Sequence, residues 1–499
     1  MSTTPPNQLS KRETYLGQFI ADSLEIACTQ IRLSQLGTNA PKVYEAAGTL
    51  RLGKSFGMKC DLLMPAPGAT IHDAFAFMRD ANRKEVGQLI PEDQHYQLEA
   101  VETDGTVWTH PALTLGIRTL SGAYKLSFSA RYVENVAKVD DQAYACRLTY
   151  IEDLSLPNNL VVDEPRPDGS HFIGRDGSAG RLSNLDLSYR RRYMANGGHR
   201  VELEVRAVDN TLPFHVDSRL IETVQFCTAV PASPICTEVA HGSHRSILLM
   251  RHKPALRGLV LPPQQDSSAD RCFYQLATAF YEHSCLAGDH ERLSPLFGKV
   301  CSIFELGAAS VAPIALLLCV AVEGLAHSGQ LSGLTNASVE HKKVVTDALA
   351  STLGNQAFLE LAQRFEKAKT GVDRRTLAER LTALFPMLSQ GGRTKDVLTL
   401  LKGAGAVTAE EIRAWEQLRH PSAHGSWELK EDSFQVDLDK MYKVLTLVYR
   451  TVFFHIGYQG EFTNRGERHW PPGIFDGKAA QAHVVQPPPA EESLVGSLV

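Results

Sequence analysis

Along the first half of the chain, apolar and polar residues alternate over short stretches, and turn residues interrupt each stretch. Val201, Leu203, Val205 and Ala207 alternate with Glu202, Glu204 and Arg206, the pattern of a strand with one face buried and the other in water. Runs of the same kind at 48–52, 56–64, 124–133 and 143–151 predict further strands. Between "YQLEAVET" and "TVWTH", the pair Asp104-Gly105 predicts a hairpin turn, because both residues tolerate positive φ. The stretch 163–181, rich in Asp, Gly and Pro, reads as loop.

After "LVLPPQQDSSAD" (259–270), a linker by composition, the period lengthens to that of helices. Helices are predicted at 271–290, 310–327, 337–353, 356–369, 374–388, 408–420 and 434–456, the second apolar nearly all round, as in the centre of a bundle. Thr408 and Glu411 form a capping box, with Ile412, Trp415 and Leu418 on one face of the helix that follows. Pro421 should bend or end that helix, since proline lacks the backbone donor and disfavours helical geometry before it. Gly457 closes the last helix. The expected fold is multidomain α+β. A disordered N-terminus (1–20) precedes a β-rich, sandwich or barrel-like sensor or regulatory domain (21–258). The linker 259–270, an all-α bundle (271–460) and a disordered Pro-rich tail (471–499) follow.

Composition narrows the function classes. With 43% hydrophobic and 21% charged residues and a net charge of −5, the chain lacks the basic field of a general nucleic-acid binder, though a local basic patch remains open. Its nine cysteines are scattered, with no C-x-x-C pair, and read as reduced thiols. The N-terminal segment has no apolar signal core, and the run from Val311 to Val322, twelve residues, is too short to span a bilayer. The expectation is a cytoplasmic protein without membrane contact. No phosphate-binding G-x-x-x-x-G-K-[ST] loop or G-x-S-x-G elbow is present, and His241 and His244 lack a third ligand. No metal and no cofactor are expected.

The chemistry concentrates in "TAEEIRAWEQLRHPSAHGSW" (408–427). An arginine and a histidine separated by four residues occur three times, as Arg166/His171, Arg419/His424 and Arg450/His455. The first pair lies in a loop. The third lies in an apolar helix, where five residues place the two side chains about 140° apart. Only the middle pair has a helix break between its members, at Pro421, and a glycine after the histidine. An arginine fork suits a phosphoryl group, and an imidazole suits proton transfer near neutrality.

"LRHPSAHG", after an amphipathic helix and before a long one, resembles the motif of HEPN-domain ribonucleases over roughly residues 270–460, and the two-part architecture resembles ApeA-type anti-phage abortive-infection proteins. The resemblance implies a metal-independent endoribonuclease of anti-phage defence, acting as a homodimer on RNA, with tRNA a candidate and a phage-derived trigger sensed by the N-terminal domain. It implies Arg419 on the scissile phosphate and His424 as general acid or base. His420 fills the polar slot after the arginine, and Glu323 matches an acidic residue able to pair with Arg419. Lys367, Lys369, Arg374 and Arg375, with Arg380, form a basic stretch that could guide RNA. Competing readings stay open: Arg419 and His424 as helix C-terminal partners, Glu323 as a structural ion pair, or an inactive bundle serving as a dimerisation or RNA/protein-binding scaffold with ligand sensing by the β domain.

Overall fold

The computed structural model describes residues 6–65, 89–120, 123–165, 170–194, 198–255, 258–264, 270–286, 291–305, 310–328, 331, 393–423 and 434–485, with only the backbone at 6–11, 65, 119–120, 139–142, 164–165, 270, 393, 420–423 and 482–485. It divides into two compact units, Met1–Gln225 with Val230–Ala255, and Phe226–Ala229 with Leu256–Val499.

The first unit is built on one antiparallel sheet. In chain order its strands are β1 (Leu24–Gln35), β2 (Val43–Gly53), β3 (Gly57–Pro65), β4 (His95–Glu102), β5 (Val107–Thr114), β6 (Gly116–Leu120), β7 (Ala123–Ala130), β8 (Tyr132–Tyr150), β9 (Leu160–Pro165), β10 (His171–Leu182), β11 (Leu185–Tyr193), β12 (His199–Ala207) and β13 (Cys236–Met250). The spatial order is β6-β7-β3-β2-β1-β4-β5-β8-β12-β11-β10-β9, with β13 also paired to β8. β8 is the spine. β13 runs along one of its sides, while β5 and then β12 share the other. The predicted Asp104-Gly105 turn joins β4 to β5, with Gly105 at φ 87° and the Thr106 amide donating to Asp104 Oδ1 at 3.0 Å.

Alternation explains which face is buried, and a bulge explains how the alternation survives an irregularity. β1 buries Leu24, Ile26 and Cys28, then shifts register between Cys28 and Ile31 so that Ile31 and Leu33 stay inside. They meet Leu50, Met58, Leu98, Trp108 and Leu126 in one core. The helix α1 (Pro6–Ile20) adds Leu16, Phe19 and Ile20 to it. The first twenty residues, expected to be disordered, thus hold a helix whose apolar stripe completes the core. The unit also contains most of α2 (Val216–Thr228).

The second unit contains α3 (Asp270–Cys285), α4 (Val311–Ala326), α5 (Arg393–Gly403), α6 (Ala409–Ala423), α7 (Phe434–His455) and α8 (Gly477–Val485). Helices α4, α6 and α7 pack against one another. The expected all-α C-terminal bundle is not what forms, so the fold-class expectation is corrected. A large antiparallel sheet occupies much of the chain, and the second unit carries a sheet of its own, β14 (Gln459–Thr463) paired with β15 (Pro472–Asp476). Phe462 and Phe475, one on each strand, bury against Phe453 of α7, which gives this short hairpin an apolar anchor.

Three smaller expectations change for physical reasons. The stretch 163–181 is largely a hairpin of β9 and β10, because backbone pairing from Leu160–Gly177 to Pro165–His171 overrides its turn-forming composition. The tail from 471 includes β15 and α8, with Gly477 donating its amide to Tyr458 O at 2.7 Å. The helix expected to stop at 420 continues through Pro421 to Ala423; the proline has no amide to give the carbonyl four residues back, but only two helical residues follow it, so there is little helix beyond it to kink. The helices predicted at 337–353, 356–369 and 374–388 lie outside the described residues.

Candidate functional site

Arg419 lies near the end of α6, and the local sequence explains how it is held. The capping box at the start of the helix forms in both directions: the Thr408 amide donates to Glu411 Oε2 at 2.9 Å, and the Glu411 amide donates to Thr408 Oγ1 at 3.3 Å. Ala414, Trp415 and Leu418 face inward, which turns Arg419 to the rim. Glu323 comes from α4, whose Ile314, Leu318, Val322 and Leu325 are buried and fix the helix axially. The Arg419 Nε donates to Glu323 Oε1 at 2.5 Å, and the Arg419 Cζ lies 5.5 Å over the Trp415 ring one turn earlier.

This contact leaves the guanidinium positioned but not consumed. The Arg419 side chain is 46% exposed and that of Glu323 34%. Among the described residues, the two terminal Nη groups have no hydrogen-bond partner. A fork anchored by its Nε edge and stacked on an indole can still offer two parallel donors to a phosphate. One turn before Glu323, the buried Cys319 thiol is pushed up to about 12 by burial, with Glu323 adding to the shift and Arg419 opposing it. Cys319 is therefore a neutral packing residue rather than a nucleophile.

Of the site residues predicted from sequence, the structure brings together Arg419 and Glu323. His420 has its backbone in α6. His424, Lys367, Lys369, Arg374 and Arg375 lie outside the described residues. The rival pair Arg450/His455 diverges, as helix geometry demands. Arg450 donates to Glu411 Oε1 at 3.1 Å and to Gly405 O at 3.0 Å, whereas the His455 Nε2 lies 3.0 Å from Leu325 O. Burial pulls the His455 imidazole down to about 4, with His283 and Lys299 adding to the shift against the bond to Leu325. It is neutral and structural. His171 of the remaining pair bonds Asp163 at 2.9 Å.

Two polar features of the first unit were not legible in the sequence. One is a buried network in which Arg12 of α1 reaches Glu238 at 2.9 Å and Glu202 at 3.6 Å, while Arg147 reaches Glu204 at 2.9 Å, and Arg200 and Arg245 bond Glu202 and Glu238. The other is an open cleft of about 640 Å³, lined in part by Asp22, Glu25, Arg51, Lys59, Asp61 and Ser129. The even spacing of charged residues on the outer faces of β2, β3 and β12 is the signal for both, but alternation alone cannot say which charges will meet. Among the described residues no three His, Cys, Asp or Glu side chains converge as metal ligands, and no helix is long and apolar enough to cross a membrane. No protein family, curated protein or solved structure matches the chain.

Proposed function

We propose that the chain is a metal-independent endoribonuclease of anti-phage defence, with Arg419 as the residue that binds and stabilises the scissile phosphate. The observation that carries this reading is the state of Arg419: anchored through Nε by Glu323, stacked on Trp415, half-exposed, and with its terminal donors open among the described residues. The reading rests on the motif "LRHPSAHG" and not on an all-helical fold.

In the proposed reaction the RNA 2′-hydroxyl oxygen attacks the adjacent phosphorus, and the bond from phosphorus to the 5′-oxygen breaks. His424 takes the 2′-hydroxyl proton or returns one to the leaving oxygen, and Arg419 balances the charge that builds on the phosphorane oxygens. The products are a 2′,3′-cyclic phosphate and a 5′-hydroxyl. A homodimer would supply the second acid–base group that a single histidine lacks. The first unit is the proposed sensor, and its polar cleft between β1, β3 and β7 is where a trigger would bind. Cytoplasmic action, with tRNA as a candidate substrate, belongs to the same proposal.

A second reading has its own observation. The Arg419–Glu323 bond ties α6 to α4, which an inactive scaffold would also need. The two readings separate when total RNA is incubated with the wild type and His424→Ala in EDTA and the fragment ends are sequenced. The nuclease reading expects cyclic-phosphate ends from the wild type and none from His424→Ala. Equal cleavage by both removes His424 from the chemistry, and absence of cleavage by the wild type favours the scaffold.

A further inference from the structure

The hairpin of β14 and β15 carries a loop, "NRGERHWP" (464–471), that packs on α7 and does no work in the chemistry proposed above. Its shape is fixed by its own bonds. The Asn464 amide donates to Pro471 O at 2.9 Å, the Asn464 Nδ2 to Glu467 Oε1 at 2.7 Å, and the Trp470 amide to Glu467 O at 3.2 Å. Two consecutive residues, His469 at φ 66° and Trp470 at φ 50°, take left-handed backbone conformations. Neither is glycine, so each costs about 1–3 kcal/mol, and such cost persists where the surroundings enforce it.

What the strain holds in place is an indole. Trp470 stands edge-on to Tyr442 of α7, with ring centres 5.6 Å apart, and is 36% exposed. The Arg465 Cζ sits 5.0 Å from the same ring. Arg465 is 4% exposed, donates from Nε and Nη2 to Pro262 O at 3.1 and 2.8 Å, and among the described residues pairs with no carboxylate. A buried cation with no carboxylate partner among the described residues leaves a positive field over the loop. Arg468 and His469 are exposed beside it, with Glu467 the one acidic group of the loop.

We propose that this loop is a contact for single-stranded RNA: a base stacks on the exposed part of the Trp470 indole, and its phosphate lies in the field of Arg465 and Arg468. The proposal rests on RNA being the ligand of this unit, and it adds a binding site outside the Arg419 chemistry. A preformed aromatic platform with an adjacent cation is sequence-tolerant, because every base offers a π-face. It suits a splayed loop or a single-stranded segment and not the interior of a duplex.

The test uses full-length protein carrying Arg419→Ala, so that bound RNA stays intact, and a labelled single-stranded RNA of mixed sequence, read by fluorescence anisotropy. Adding Trp470→Ala should weaken Kd roughly 5- to 100-fold, the range of one lost stacking contact. Trp470→Phe should keep most of the affinity while abolishing the indole quenching seen on binding, and it guards against misfolding of the alanine variant. Preferential binding of a duplex, or equal Kd values with and without Trp470, overturns the loop assignment whatever the parent protein does to RNA. Trp470-dependent binding, together with a wild-type protein that cuts no RNA, supports the loop and removes the nuclease reading.

Discussion

Two arginines on helices, Arg12 of α1 and Arg419 of α6, meet opposite fates. Arg12 is 6% exposed and works within a network of glutamates from β12 and β13. Burial works against its charge, yet the neighbouring Cys236, Glu238, Glu202 and Glu13 hold its pKa above the ordinary arginine value. Burial likewise pushes Glu202 up, but Arg200, Arg12, Arg192 and Arg147 outweigh it and hold the carboxyl below its usual range. Among the described residues Arg419 has one carboxylate and an indole face in place of further acids, with half its surface in water. Saturation with counter-charge makes a cation structural. A cation held by one edge and otherwise left open keeps its affinity for an anion that arrives later.

The comparison can be broken first at Arg12. Arg12→Ala leaves Glu202 and Glu238 buried with one cation fewer, Arg200 and Arg245 remaining, and should lower unfolding stability by about 3 kcal/mol in urea titrations. A loss under about 1 kcal/mol would place the network among weak surface pairs and erase the contrast.

Glu323→Gln sharpens the other side. It keeps a hydrogen-bond acceptor for Arg419 Nε but removes the charge, so cleavage should fall about tenfold, equivalent to about 1.4 kcal/mol, with little change in stability. A rate equal to wild type in single-turnover assays would mean that Glu323 has no part in positioning Arg419.

Acid separates the units by a different route. His455 titrates near 6.5 when unfolded and near 4 when folded. The unfolded chain therefore binds the extra proton first, and the second unit loses stability as pH falls from about 6.5 towards 4. The contribution of Glu202 and Glu204, whose folded values lie below the ordinary 4.5, is intact in the upper part of that window and declines as pH falls through 4.5. Glu411, raised by burial, adds stability to the second unit at low pH and opposes His455 there. Urea titrations at about pH 7 and about pH 5 should show a stability loss that His455→Gln reduces and Arg12 variants leave unchanged. The smallest expected effect is at the β4–β5 turn: Gly105→Ala forces a side chain onto φ 87° and should cost about 1 kcal/mol in the same titration.

How far the sequence reached follows from which signals are local. Alternation in 201–207 and the Asp104-Gly105 turn were enough to place β12 and the β4–β5 hairpin, because period and turn chemistry act within a few residues. The capping box of α6 was equally legible. Pairing between distant segments was not. Nothing near Arg12 announces Glu238, and nothing near Gly460 says that Phe475 will pair with it across a hairpin just past the last predicted helix. The Pro-rich character of 471–499 suggested disorder, yet Phe475 and Ala480 are buried. At the candidate site, Arg419 and Glu323 were singled out through the resemblance of the motif and Trp415 stands one helical turn before Arg419, while Trp470 was missed because its loop lies past the last predicted helix.

The most direct test of the contrast is Arg419→Ala, with RNA cleavage and unfolding free energy measured on the same preparation. A half-exposed, singly paired arginine predicts a rate loss of about a hundredfold or more, with a stability change under about 1 kcal/mol. Cleavage at the wild-type rate, or a stability loss as large as that expected for Arg12→Ala, would contradict the assignment of Arg419 to the phosphate.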